Sequence, residues 1–241
     1  MEEKLWIVEF VNRLLGEPVA KALGLIGIHV DPHEAIPPHV LMAIFASLFL
    51  IFVFGILVRK PKFYPDSRQA FYELIFKFFD DLLKDLIGKE GREFIGMIGS
   101  LGLFILAMNY MGLIPGLMAP TSNINGPAGC AVFVFLYYNW QGIKRHKFHY
   151  IKHFTGENPF IGIIMFPIEV ISHISRPLSL TLRLFGNITG EEMLLLVLTL
   201  LIPFLIPLPI MLLALFTGLL QAFVFVMLSS IYISGAISEQ H

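Results

Sequence analysis

The sequence predicts an all-α integral membrane protein of about five membrane helices, the last two a long hairpin, with amphipathic interfacial helices beside them. Two uncharged runs and a proline-broken apolar tail carry that prediction. No Asp, Glu, Lys or Arg occurs over residues 94–143, and none over 193–238. Each run is more than twice the ~20 residues that cross a bilayer once as a helix. Of the 241 residues only 15% are charged and 56% are hydrophobic, whereas a soluble domain carries about 25% charged residues. That balance excludes a water-soluble globular fold. It also excludes a nucleic-acid binder, because 17 basic against 18 acidic residues leave no excess cation for phosphates. The single cysteine, Cys130, leaves no internal disulfide and no cysteine-based zinc site. Neither a metal nor a cofactor is expected.

The elements follow in chain order. Residues 1–37 form an outer amphipathic segment, in which Leu5, Ile7, Val8, Val11, Leu14 and Leu15 recur as on one helix. It opens with Glu2 and Glu3 rather than a basic leader, which argues against a signal peptide. The first span is 38–58, stopped by Arg59-Lys60-Pro61-Lys62. Over 63–92, Phe71, Leu74, Ile75, Phe78, Leu82, Leu83 and Leu86 recur at helical spacing among charged positions, the pattern of a helix lying along an interface. The run 94–143 breaks at Pro115, Pro120 and Asn123 to Pro127, where turn residues cluster; this divides it into spans 94–117 and 128–143. The last stretch breaks at Pro203, Pro207 and Pro209 into helices 160–201 and 210–236. No internal repeat appears, so the whole of 1–241 reads as one membrane domain.

Basic residues set the orientation. Eight of the 17 Lys and Arg lie between Arg59 and Arg92 and four between Lys144 and Lys152, while the turns 118–127 and 202–209 hold none. The positive-inside rule puts the basic segments in the cytoplasm. With five spans the N-terminus is then outside and the C-terminus inside.

Against this apolar background one helix stands apart. Between Pro167 and Met193 lie Glu169, Ser172, His173, Ser175, Arg176, Ser179, Thr181, Arg183, Asn187, Thr189, Glu191 and Glu192. A charge in lipid costs at least about 2.5–3.5 kcal/mol on insertion scales, so each one retained there is a functional candidate. On a helical wheel Glu169, Ser172, Arg176, Ser179, Asn187 and Gly190 fall within about 40° of Arg183, and Glu192 points the opposite way. Glu169 lies about 21 Å from Arg183 toward the cytoplasm, and Glu192 about 13 Å beyond it toward the outside. These acids suit two water-accessible routes, one from each side, meeting near a fixed cation. Arginine suits that post because its guanidinium keeps its proton in a protein. His173 reads equally as a satisfied interior histidine or as a proton relay, and Arg176 and Glu191 as interfacial groups or as part of the path.

The run Ser175-Arg176-Pro177-Leu178-Ser179-Leu180-Thr181-Leu182-Arg183-Leu184-Phe185-Gly186-Asn187 resembles the signature of subunit a of the F-type ATP synthase membrane sector. The likeness extends to Met108-Asn109-Tyr110-Met111-Gly112-Leu113-Ile114-Pro115-Gly116, to the turn Pro120–Asn125, and to Gln221-Ala222-Phe223-Val224-Phe225 followed by Tyr232. It implies the proton channel of the stator, in a bacterial inner membrane. Two half-channels deliver protons to and from carboxylates on a rotor ring of subunit c, beside the peripheral-stalk subunit b and the remaining synthase subunits. The resemblance maps the essential arginine onto Arg183, the outer positions onto Asn187, Glu192 and Gln221, and the inner ones onto Glu169 and Ser172. Two departures mark this chain. Asn123 stands where the family commonly has Asp, and no histidine occurs on the last helix before Gln221. The outer route then rests on Glu192, Gln221 and water, with Glu191 as substitute acid.

Other classes fit less well. An intramembrane hydrolase needs an H-E-x-x-H helix or a G-x-S-G loop, and neither occurs. A secondary ion transporter commonly pairs broken helices in inverted repeats, but the first half has no polar stripe to pair with the second. A membrane scaffold does not account for Arg183. No phosphate-binding P-loop is present, so the chain reads as a non-catalytic subunit, with nucleotide chemistry elsewhere. Asn187, Glu191 and Gln221 are expected to line water, and Leu195 and Leu198 to face lipid.

Overall fold

The computed structural model of the chain describes residues 6–25, 27, 29–57, 66–114, 116–147, 159–201 and 207–238. Leu5, the cluster Arg59–Lys62, Pro115, Lys152 and Pro203, on which parts of the sequence reading rest, lie outside them. Every regular element among the described residues is helical: α1 (Trp6–Gly24), α2 (Pro38–Leu57), α3 (Ser67–Ile87), α4 (Ile95–Met111), α5 (Asn125–His146), α6 (Pro159–Leu201) and α7 (Pro207–Ile237), with short 3-10 turns at Lys89–Phe94 and Pro120–Ser122.

Among the described residues four stretches are long and apolar enough to cross a membrane: Pro38–Gly55, Lys89–Met111, Met165–Leu201 and Leu208–Ile237. The fifth expected span, 128–143, lies within α5, which is 22 residues long but more polar. It starts at Asn125 and carries Tyr137, Tyr138, Asn139 and Gln141 before ending on Lys144, Arg145 and His146. Its absence of charge had masked that polarity. α2 shows the opposite character: its open face is Leu48, Phe49, Ile51 and Phe52, a surface only lipid or another apolar surface can cover.

The core lies where α3, α4, α5, α6 and α7 meet, around Phe79, Leu83, Phe94, Ile98, Ile105, Met108, Val134, Tyr138, Leu184 and Ile233. Small residues let the helices close in. A Cβ added at Gly102 would sit 2.5 Å from Val226, so α4 and α7 touch nearly backbone to side chain there. Two side chains of α4 then pin α7: Asn109 Nδ2 donates to the Gly218 carbonyl at 3.0 Å, and the Tyr110 hydroxyl to that of Leu215 at 3.1 Å.

α3 ends at Gly88, whose φ of +90° suits glycine, and the 3-10 turn then leads into α4. Arg145 at the end of α5 pairs with Glu90 and Glu93 of that turn. α1 is held by Asn12, whose amide donates to the Ile36 carbonyl at 3.0 Å and accepts from its N–H at 2.9 Å. Its buried line is Val8, Asn12 and Gly16, so Leu14 and Leu15 of the expected apolar face stay exposed with Trp6 and Phe10.

α6 runs 43 residues, about 65 Å at 1.5 Å per residue. A bilayer core is about 30 Å thick, so this helix is about twice as long as one perpendicular crossing needs. α7 begins at Pro207, with Pro209 also in its first turn, where the missing N–H of proline is harmless. Those two prolines open the second helix rather than filling the turn before it.

Candidate functional site

The polar residues of α6 separate into a cluster toward the end that the basic residues assign to the inside, an exposed middle, and a cavity toward the end assigned to the outside; they are called inner and outer on that expectation. Its packed side is the line His173, Leu180, Leu184 and Ile188, all buried. Arg183 and Asn187 sit on the flank of that line and are exposed. Arg183 is the central residue of the apolar stretch Met165–Leu201. Among the described residues it makes no hydrogen bond and no ion pair. Ser179, Gly186 and Gly190 lie on the same open flank, and a Cβ added at either glycine would meet nothing within 4 Å.

The inner cluster lies between α5, α6 and α7. His173 is 5% exposed; its Nδ1 is 3.1 Å from the Tyr138 hydroxyl and its Nε2 is 3.5 Å from the Glu169 carboxylate. The Arg176 guanidinium stands 5.9 Å from the Tyr138 ring centre and 5.2 Å from that of Tyr232, within cation–π range. Arg176, read from sequence as an interfacial group or part of the path, is thus held by aromatic rings on two neighbouring helices. Pro177 adds a local cause. It lacks the N–H that a helix donates one turn back, and its own carbonyl accepts from Thr181 at 2.8 Å. Ser172 is half-buried beside this cluster.

The outer acids converge on a cavity of about 30 Å³ lined by Asn109, Gly112, Leu113, Ala119, Ile188, Glu191, Glu192, Leu195 and Ala214. That is room for one or two waters, each needing about 10–15 Å³ by this measure. Glu192 is within hydrogen-bonding reach of the Ser122 hydroxyl and the Ala119 backbone, and Glu191 of the Thr217 hydroxyl. Thr189 ties this end of α6 to the outer turn, donating to the Ser122 carbonyl at 3.3 Å. Asn109 is the residue that sequence reasoning passed over as a site. It is 5% exposed, and while its amide nitrogen serves Gly218, its carbonyl oxygen has no hydrogen-bond partner among the described residues. A buried acceptor left open costs about 1–3 kcal/mol, a cost that a water in this cavity removes. A neutral Asn in an apolar run carries no signal of this kind until the cavity beside it is seen.

Gln221 is half-buried at the edge of α7's packed face and makes no hydrogen bond to Arg183 among the described residues. Two expectations change. Leu195 lines the cavity and Leu198 is half-buried; neither is a lipid-facing residue. The reason is angular: Leu195 lies about 120° around the wheel from Arg183, close to Leu184 on the packed side. Among the described residues no group of three or more His, Cys, Asp and Glu could hold a metal ion.

With this geometry in hand, comparison with known proteins is informative. Residues 40–234 match the family described as ATP synthase A chain. "ATP synthase subunit a" of Sulfurihydrogenibium sp. (strain YO3AOP1) is 42% identical over 83% of this chain and 97% of the relative. That of Trichlorobacter lovleyi is 46% identical over 77% and 81%, and that of Syntrophobacter fumaroxidans 41% over 90% and 94%.

Proposed function

The chain belongs to the ATP synthase A chain family, and from that premise we propose how its polar residues carry protons past a rotor. Its place in the ATP synthase, its part in proton translocation and its multi-pass place in a membrane follow from the family and from its apolar helices. The proposed finer reading rests chiefly on Arg183, a mid-span cation on the open surface of α6 with no counter-charge among the described residues. A cation facing lipid costs several kcal/mol, so its partner is a carboxylate on a neighbouring subunit, the rotor ring of subunit c. The peripheral-stalk subunit b and the other synthase subunits complete the surroundings, in a bacterial inner membrane. The N-terminus lies outside and the C-terminus in the cytoplasm, with α5 as the fifth span in a single membrane domain over 1–241.

The inner access runs by Glu169, Ser172 and His173, the outer by Glu191, Glu192, Asn187 and Gln221, with Asn109 holding water beside the two outer acids. Arg183 stands between them. A rotor carboxylate reaching Arg183 is favoured in its ionised form, so it gives up its proton before passing. Once protonated again it is neutral and travels through lipid cheaply. Protons therefore cross only by going round with the ring, each charge worth about 2.3 kcal/mol per 100 mV. The chain itself does no nucleotide chemistry.

Cysteine accessibility tests the two routes. In a background lacking Cys130, cysteines at positions 187, 191 and 221 are expected to react with Ag⁺ and block proton flux. Cysteines at the exposed apolar positions 196 and 200, which replace 195 and 198 as controls, are expected to stay inert. Equal reactivity at all five positions would remove the case for water-lined routes.

Gly190 offers a second measurement. Gly186 and Gly190, four residues apart on the open flank, let a partner helix approach closely. A Cβ added at Gly190 meets nothing within 4 Å among the described residues, and Gly190→Leu replaces the poorest helix former but proline, a gain of up to about 1 kcal/mol in helix stability. The variant chain is expected to accumulate normally while pumping falls about tenfold, because an inserted side chain costing ~1.4 kcal/mol at the contact shifts it by that factor. Unchanged pumping would mean that no helix approaches this flank.

A further inference from the structure

The inner cluster contains a hydrogen-bond sequence with one self-consistent direction. Arg176 reaches the Tyr138 hydroxyl, and a guanidinium only donates, so the phenol oxygen accepts from it. The single phenol hydrogen is then free for His173 Nδ1, 3.1 Å away. Asn139 also reaches this hydroxyl, with its amide nitrogen engaged to the Phe135 carbonyl at 2.7 Å. A neutral imidazole that accepts at Nδ1 carries its proton at Nε2. Nε2 is the atom 3.5 Å from the Glu169 carboxylate.

We propose that Tyr138 is a positioning residue of the inner access, holding the His173 ring in the tautomer whose Nε2–H faces Glu169. The inference rests on the proposed role of Glu169 as the inner proton acceptor. Tyr138 is 1% exposed and packs by its ring against both His173 and Tyr232, at 5.9 and 6.0 Å between centres. The imidazole is therefore locked by α5 and α7 as well as by its own helix. The ionisable groups facing it are Glu169 and Arg176 on α6, Tyr138 on α5 and Tyr232 on α7. In this tautomer His173 offers an N–H donor to the ionised carboxylate. Without the Tyr138 hydroxyl the ring turns either tautomer toward Glu169. The one with a bare Nε2 favours the protonated carboxyl instead.

The test uses membrane vesicles carrying the whole complex, with ATP-driven proton pumping measured from about pH 6 to pH 9. The readout is the ratio of variant to wild type at each pH, which cancels the pH dependence of the nucleotide chemistry. Tyr138→Phe keeps the ring and its contacts with Arg176 and Tyr232. Its ratio is expected to change by about threefold or more across the range. His173→Gln, which cannot titrate, is expected to give a pH-dependent ratio as well. Ratios that are constant across pH for both variants, whatever their height, overturn the proposal, because structural damage lowers every point alike. If Tyr138→Phe fails to assemble, His173→Gln carries the same comparison. A flat ratio beside an inactive Arg183→Ala complex sinks this inference alone; normal pumping by Arg183→Ala sinks the access reading beneath it.

Discussion

Arg183→Ala is expected to abolish ATP-driven proton pumping, a loss of at least about a hundredfold, while the complex assembles in normal amount. Both halves of that expectation come from where the side chain sits. Arg183 is exposed at the centre of an apolar stretch and makes no hydrogen bond or ion pair among the described residues, so its removal breaks no polar contact within them. Surface substitutions of this kind change stability by within about 0.5 kcal/mol. The loss of pumping follows from charge. Without a cation opposite it, an ionised rotor carboxylate in lipid costs roughly 2.5–3.5 kcal/mol, and each 1.36 kcal/mol is tenfold. Carboxylates then pass the site protonated, and protons cross between the two accesses without turning the ring.

Arg183→Lys tests which property of the cation matters. Lysine keeps a charge at neutral pH but presents a flexible point charge, and it loses its proton when desolvated. It is expected to fail nearly as badly as alanine. Pumping is read from ATP-driven acidification of vesicles, assembly from the amount of chain in the membrane, and leak from passive proton flux. Normal acidification by an assembled Arg183→Ala complex would end the reading of Arg183 as the barrier between two routes.

The stripe on α6 was legible in the sequence because charge is so scarce elsewhere. In a soluble helix Glu169, Arg183 and Glu192 would be unremarked surface residues. Helical angles alone also placed Glu192 opposite Arg183. They could not say which flank of α6 is packed, because that is decided by α5 and α7. Leu195 was therefore assigned to lipid although it faces the outer cavity. Tyr138 had no signal at all, since it sits in the aromatic run Leu136-Tyr137-Tyr138-Asn139-Trp140 and gains meaning only from the His173 ring that α6 brings to it. Asn109 and Arg176 are similar cases, one defined by a cavity and the other by rings on neighbouring helices. The expectation of five spans rested on counting charges, and the amides and phenols of α5 make that helix more polar than the other four. Local pattern carried the elements; the partners of each polar atom are tertiary information.

The largest effect on the outer side is expected from removing both acids of the cavity together. Glu191 and Glu192 line one space of about 30 Å³ with Asn109. Each has a different hydroxyl within reach, Thr217 for Glu191 and Ser122 for Glu192. Water in that space can thus exchange protons with either carboxylate. Glu192→Gln alone is expected to slow pumping only severalfold, because Glu191 and the water remain. Glu191→Gln alone should be milder still, since Glu192 is the acid anchored to the outer turn. The double variant leaves no group in the cavity that titrates, and a positioned acid or base contributes about 10²–10⁴-fold to a proton transfer. Pumping by Glu191→Gln with Glu192→Gln is therefore expected to fall by at least about a hundredfold, well beyond the product of the single losses. Such an excess is the mark of two groups serving one step. Glutamine keeps the volume and hydrogen-bonding reach of each side chain, so the amount of assembled chain should hold. If the double variant loses only the product of the single effects, the two acids serve separate paths. If it pumps as wild type, both are helix-end carboxylates and protons reach the rotor by another route.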